Sequence, residues 1–270
     1  MYCLSPIEIK NSKIGGYMSV PCSRCAACLS RKREEWSFRL KQQLKVSTSC
    51  IFITLTYKEE NLPINENGVA SVNKRDVQLF FKRLRKNSNQ KELKYYLSSE
   101  YGTKTFRPHY HIVLFDLINT DLILTSWGLG NIKVDKINDA RISYTTKYCI
   151  TKSKIPKGAT TPFSLQSKNL GLNYVEKKKH WHEQDIKRMY CTNDNGTKIA
   201  MPRYYKEKIY TEFDRENFSY YMNNRVNKIT ARKKCEHEKT QKKSYYEYTT
   251  EQKLEYIKKI DRIINKSNKI

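Results

Sequence analysis

The run Arg107-Pro108-His109-Tyr110-His111-Ile112-Val113-Leu114-Phe115 constrains this chain more than any other stretch. From His109 on it is apolar, β-branched and aromatic, with a proline just before it, which is the pattern of a buried strand. Side chains alternate faces along a strand, so His109 and His111 share one face and Tyr110 takes the other. Two imidazoles side by side on a sheet face suit a divalent metal. The chain holds only five histidines. Two of them in one apolar strand favour a ligand pair over ordinary polar residues on a solvated face.

The segment before it sharpens this reading. Lys94-Tyr95-Tyr96-Leu97-Ser98-Ser99-Glu100 is a second strand candidate, and a loop with Gly102 and Pro108 separates the two. In a hairpin of these strands Glu100 falls opposite His109, and directly opposed residues share a face. Glu100, His109 and His111 then form a three-ligand site with positions left for water and phosphate. The register is an assumption, because a slip of one residue would turn Glu100 away.

Charge says what such a site would act on. With 52 Lys+Arg against 27 Asp+Glu, the formal net charge is +25. A balance this lopsided calls for a polyanionic partner, with nucleic acid first. Twenty tyrosines interleave with the bases, as suits stacking on unpaired nucleobases. The start of the chain lacks a basic region followed by an apolar run, so no signal peptide is expected. No stretch reaches membrane-spanning length, so no membrane partner is expected. The eight cysteines are accordingly expected as thiols or metal ligands in a reducing cytosol.

Residues 1–29 read as loop and hold Cys22-Ser23-Arg24-Cys25-Ala26-Ala27-Cys28. Two overlapping C-x-x-C steps match one half of a structural zinc site, and Cys3 is the candidate fourth ligand. Three free thiols at the start of a helix are the plainer alternative. Cys50, Cys149 and Cys191 look like core thiols. Residues 30–45 read as a basic amphipathic helix with Trp36, Leu40 and Leu44 on one face. Its Arg31 and Arg33 are candidate phosphate contacts, as are Arg107 and Arg203 elsewhere; a merely solvated basic face is the alternative.

A regular alternation follows: a strand over residues 50–57, a helix from the Asn73 cap to about Lys86, the histidine hairpin, a short helix ending near Gly128, a strand over 131–136, and a helix from about Asp139 to Lys152. The order β-α-β-β-α-β is that of a split β-α-β, ferredoxin-like (RRM-like) α+β fold: an antiparallel sheet with helices on one face and the histidine strand central. Residues 156–210 lose periodicity and read as loops with basic and aromatic groups, His180-Trp181-His182 among them as a surface or DNA-facing element. Residues 212–268 read as charged helix. The expected organisation is a Cys knuckle with a basic helix over 1–46, a core over 47–155, a loop region over 156–211 and a helical tail over 212–270. Tyr144 and Tyr148 share a helix face at i, i+4, the only tyrosine pair at that spacing. Packing on the sheet would explain them equally well.

Taken together, His109-Tyr110-His111, the preceding Glu100 and the following Tyr144 and Tyr148 resemble the HUH endonucleases that start rolling-circle replication. The chain most resembles the replication initiators of gokushovirus-type microviruses. The Cys22-to-Cys28 knuckle with Arg31 to Arg39, Thr54-Leu55-Thr56-Tyr57, Glu100-Tyr101-Gly102 and Pro202-Arg203-Tyr204-Tyr205 carry that closer likeness, over about residues 1–210. The family has a bulky apolar residue between the histidines, where this chain has Tyr110. No phosphate-cradling Gly-x-x-x-x-Gly-Lys loop occurs, so no helicase domain is implied.

The resemblance implies an enzyme that nicks and later rejoins single-stranded origin DNA of a circular genome. In it a Mg2+ or Mn2+ ion on Glu100, His109 and His111 polarises the scissile phosphate, and Tyr144 or Tyr148 attacks. Lys147, between the tyrosines, would offset phosphate charge. A 5′-phosphotyrosine and a 3′-OH primer result. A host polymerase and helicase are the implied partners, and the host bacterial cytoplasm the implied site. A non-catalytic zinc-knuckle nucleic-acid-binding protein is the rival. It explains the charge and the cysteines but neither the histidine strand nor the tyrosine pair.

Overall fold

The computed structural model describes residues 3, 5–11, 15–102, 104–137, 142, 145–146, 155–240 and 243–267. The chain divides into two compact units, one of Arg33–Tyr174 and one of Met1–Lys32 with Val175–Ile270.

The chain opens with two antiparallel strands, β1 (Ile7–Asn11) and β2 (Gly16–Val20), where the sequence suggests only loop. Ile7 and Ile9 are both more than two-fifths exposed, so this hairpin has no strongly buried face to announce it. Helix α1 (Ala26–Leu44) follows and begins earlier than expected, inside the cysteine motif.

The unit Arg33–Tyr174 is built on one sheet. Its strands are β3 (Cys50–Thr56), β4 (Lys94–Tyr101), β5 (Pro108–Phe115), β6 (Ile132–Lys136) and β7 (Ser164–Gln166). They lie in the order β6-β3-β5-β4-β7, and every pairing is antiparallel. The histidine strand is central and beside β3, as expected. The short edge strand β7 has no counterpart in the sequence pattern.

The two faces of β5 do different work. Tyr110, Ile112 and Leu114, with Ile53, Leu55, Leu97 and Tyr101, pack against helices α2 (Lys74–Ser88) and α3 (Leu122–Trp127). Helix α2 presents Val77, Phe80, Phe81 and Leu84 at helical spacing, and each is fully or almost fully buried. Each such side chain stabilises the fold by roughly 1.5–3 kcal/mol relative to exposure. The other face carries Phe52, Tyr96, Val113 and Phe115, which pack with Leu40 of α1, Ile142 and Leu170. Trp36 of α1 lies 4.8 Å from Tyr96, ring to ring. Helices therefore cover both faces, not one. The physical reason is that β5 is apolar on both sides away from its histidines, and a strand of that kind must be buried twice.

Polar contacts fix the position of β5. Asn73 caps α2 by accepting from the amides of Arg75 and Asp76. The hydroxyl of Tyr110 lies 2.8 Å from that of Tyr57 and accepts from the Asn73 amide, also at 2.8 Å. Tyr57 in turn donates to Asp76 at 2.8 Å. Trp127 donates its indole N–H to the Thr56 carbonyl. Gly130 passes so close to this bend that a Cβ there would meet the Thr56 oxygen at 2.2 Å.

The second unit corrects two expectations. Within residues 156–210 the chain forms helix α4 (Asn173–Glu183), the hairpin β8 (Tyr190–Thr192) with β9 (Lys198–Ala200), and helix α5 (Arg203–Ile209). Pro202, a loop marker in the sequence, is instead the N-cap of α5, a place where the missing amide hydrogen costs nothing. His182 is not surface or DNA-facing. It is fully buried, with Nδ1 2.8 Å from the Arg188 carbonyl, and its own carbonyl accepts from the Tyr210 hydroxyl. Helices α6 (Glu212–Thr240) and α7 (Tyr245–Ser267) complete the unit, in agreement with the charged helical pattern. No helix among the described residues is long and apolar enough to cross a membrane.

Candidate metal centre

The hairpin of β4 and β5 sets the first site. Its loop closes through the Gly102 amide donating to the Arg107 carbonyl at 3.0 Å and the Phe106 amide donating to the Gly102 carbonyl at 3.0 Å. The pairing this produces is Glu100 opposite His109 and Ser98 opposite His111, the register assumed from the sequence. Tyr110 points to the opposite face, as alternation requires.

Glu100 is 7% exposed and His111 5%. A carboxylate buried to that degree needs compensating partners. One oxygen of Glu100, Oε2, lies 3.2 Å from Nε2 of His111 and 3.3 Å from Nε2 of His109. The outer nitrogens are engaged elsewhere. Nδ1 of His109 is 3.1 Å from the Arg107 carbonyl, and Nδ1 of His111 is 3.2 Å from the Thr54 hydroxyl. A carbonyl only accepts, so Nδ1 of His109 carries the hydrogen and the neutral ring turns its Nε2 lone pair toward the carboxylate. Two lone pairs facing each other at this distance favour a cation between them.

The donor set fits a divalent ion. The three ligand atoms lie within 4.8 Å of one another. Ligands about 2.1 Å from an ion and at right angles stand about 3 Å apart, close to the Glu100–imidazole spacings. Two imidazoles and one carboxylate on one side leave the remaining positions open. Burial holds the His111 pKa below the ordinary histidine value, against the opposing hydrogen bond to Glu100. That keeps the ring neutral and able to ligate at neutral pH. Phe52 stacks on His111 with ring centroids 5.5 Å apart.

Thr54 and Ser98 carry no signal of their own in the sequence. Thr54 is the direct β3 partner of His111. Alternation along β3 finds it once the register is set. Ser98 donates to the Thr145 carbonyl at 3.4 Å, and Ile142 belongs to the apolar cluster on the histidine face. The helical residues Ile142, Thr145 and Thr146 are all buried. Tyr144, Lys147, Tyr148 and Cys149 lie outside the described residues.

The second site lies at the start of the chain. The sulfurs of Cys3, Cys22, Cys25 and Cys28 fall within 4.8 Å of one another. Cys3 Sγ is 3.4 Å from Cys22 Sγ and 3.8 Å from Cys25 Sγ. The Cys22 amide donates to Cys3 Sγ and the Cys25 amide to Cys22 Sγ. Four thiolates at about 2.3 Å from a tetrahedral zinc stand about 3.8 Å apart, so these sulfurs fit one ion. The described residues also hold Cys191, buried, and Cys50, half-buried.

The candidate phosphate contacts have varied surroundings. Arg107 spans the Tyr57 carbonyl and the Glu59 carboxylate, the latter at 2.6 Å. Arg203 pairs with Glu207 one turn along α5 at 2.7 Å. Arg31 and Arg33 are half-buried on α1.

Residues 50–154 match the model of the replication-associated protein ORF2 family. Among curated proteins, the chain is 26% identical to the replication-associated protein ORF2 of Spiroplasma virus 4, over 98% of this chain and 97% of that one. It is 27% identical to the replication-associated protein VP4 of Bdellovibrio phage phiMH2K, over 77% of this chain and 76% of that one. It is 23% identical to the replication-associated protein ORF4 of Chlamydia phage 1, over 74% and 57%. No solved structure matches. By this match and these relatives the resemblance drawn from the motifs holds, and residues 50–154 place the chain with the ORF2-type replication-associated proteins.

Proposed function

We propose that the protein is a rolling-circle replication initiator of the HUH class, which nicks single-stranded origin DNA and later rejoins the ends. The observation that carries this reading is the convergence of Glu100, His109 and His111 on one sheet face, with Ile142 and Thr145 packed on the same face. The strand order β6-β3-β5-β4 supports the ferredoxin-like reading of the core.

Glu100, His109 and His111 would hold Mg2+ or Mn2+, which when bound would polarise the scissile phosphate and stabilise the leaving 3′-oxygen. The hydroxyl of Tyr144 or Tyr148 loses its proton and attacks phosphorus in line. A tyrosyl O–P bond forms, the bond from phosphorus to the 3′-oxygen breaks, and that oxygen takes up a proton. The phosphodiester energy is kept in the 5′-phosphotyrosine, so the reverse attack can rejoin DNA. Lys147 would offset phosphate charge. Arg31, Arg33, Arg107 and Arg203 would contact the backbone. The 3′-OH would serve a host polymerase, with a host helicase opening the strand, inside the host cell.

The four-cysteine cluster supports a structural zinc ion beside this activity. It also supports the rival reading, in which the chain only binds nucleic acid. Incubation with single-stranded origin-like oligonucleotides and Mn2+ separates them. Wild type should cut, and His109→Ala and His111→Ala should not. Cutting by either variant at the wild-type rate would remove the triad from the chemistry, and no cutting by wild type would favour the rival.

A further inference from the structure

The unit without the Glu100–His109–His111 triad holds a groove of about 510 Å³ between the β8–β9 hairpin and helix α6. Its floor is apolar, formed by Met189, Phe218 and Met222. Lys187, Lys198 and Arg225 line it as exposed cations, and no acidic residue lines it. Tyr190 and Tyr221 stand in the wall. Lys198 Nζ lies 4.3 Å from the centre of the Tyr190 ring, and Lys187 Nζ 5.6 Å from that of Tyr221.

Packing of a hairpin on a helix accounts for the floor. It does not account for three like charges converging on one groove, an arrangement that repels itself until an anion enters. Aromatic rings beside those charges narrow the class of anion. An unpaired nucleobase offers a π-face to the rings while its phosphate meets the cations. A duplex hides its bases in the stack and would leave rings and floor unused. We propose that this groove binds single-stranded DNA, with bases against Tyr190 and Tyr221 and phosphates on Lys187, Lys198 and Arg225. The proposal rests on the nucleic-acid reading above and adds a second binding surface, separate in sequence from the triad.

The test is fluorescence anisotropy of a labelled single-stranded oligonucleotide with the full chain across a salt series. The triple variant Lys187→Gln, Lys198→Gln, Arg225→Gln should flatten the log–log salt slope by about 2, at about 0.7 for each phosphate no longer neutralised. Tyr221→Ala should weaken binding about tenfold with the slope unchanged. Circular dichroism confirms that the variants are folded, and His111→Ala should bind as wild type does. Wild-type affinity and slope in the folded triple variant would overturn the groove while leaving the nicking reading in place. Equal weakening of duplex binding by Tyr221→Ala would overturn the single-strand assignment. Wild-type protein that neither binds nor nicks would overturn both readings.

Discussion

Removing one oxygen atom should separate what holds the histidine strand in place from what the strand does. In Tyr110→Phe the ring stays in its pocket, where Tyr110 is fully buried. The link to Tyr57 is lost, and the Asn73 amide loses its acceptor. Tyr57 keeps its bond to Asp76, so the amide is the one group left stranded. A net hydrogen bond is worth about 1 kcal/mol and a stranded buried donor costs about 1–3 kcal/mol, which puts the loss at about 2–4 kcal/mol. Urea unfolding followed by circular dichroism should show the midpoint lowered by about 1–2 M with the slope unchanged. Metal affinity at the triad should stay at the wild-type value, because the hydroxyl lies on the opposite face. An unchanged midpoint, or a metal affinity that falls with it, would refute the division of labour between the two faces.

Gly130→Ala should lower stability by about 3 kcal/mol or more, because the new methyl meets the Thr56 carbonyl and neighbouring backbone that cannot move aside. The drop in melting temperature measures it, and a drop as small as that of an exposed loop glycine would remove the close approach. His111 should add a pH dependence. Its folded pKa is lowered, so the unfolded chain takes up the proton first. Stability relative to His111→Gln should then fall as pH drops below about 6.5 and level off beneath the folded pKa. A wild-type advantage that grows on acidification over that range would mean the ring is charged in the fold. Zinc analysis of purified protein should find about one ion per chain, lost in Cys22→Ser or Cys25→Ser. Folded, zinc-free wild type would leave the cluster as plain thiols.

How much of this is legible in the sequence depends on burial. Helix α2 is readable because Val77, Phe80, Phe81 and Leu84 all face one core and Asn73 marks the start. The site is readable because alternation fixes His109 and His111 together, and the short loop after Tyr101 leaves one register that brings Glu100 across. Hairpin β1–β2 is not readable, because isoleucines left more than two-fifths exposed make no apolar face. His182 misleads because its Lys-rich neighbours suggest surface, whereas Arg188 and Tyr210, which enclose it, come from other turns of the chain. The second covered face of the sheet depends on α1, contributed from residues before β3. Local patterning does not report which face a distant helix will cover.

The account's central claim is that the metal-bearing face serves a tyrosine nucleophile. Wild type, His111→Ala and the double variant Tyr144→Phe, Tyr148→Phe should each be incubated with 3′-labelled single-stranded DNA and Mn2+ and run on a denaturing gel. The account predicts label migrating with wild-type protein, and none with either variant or with chelator present. Label retained by the double tyrosine variant, or wild type that cuts DNA and never retains label, would contradict it.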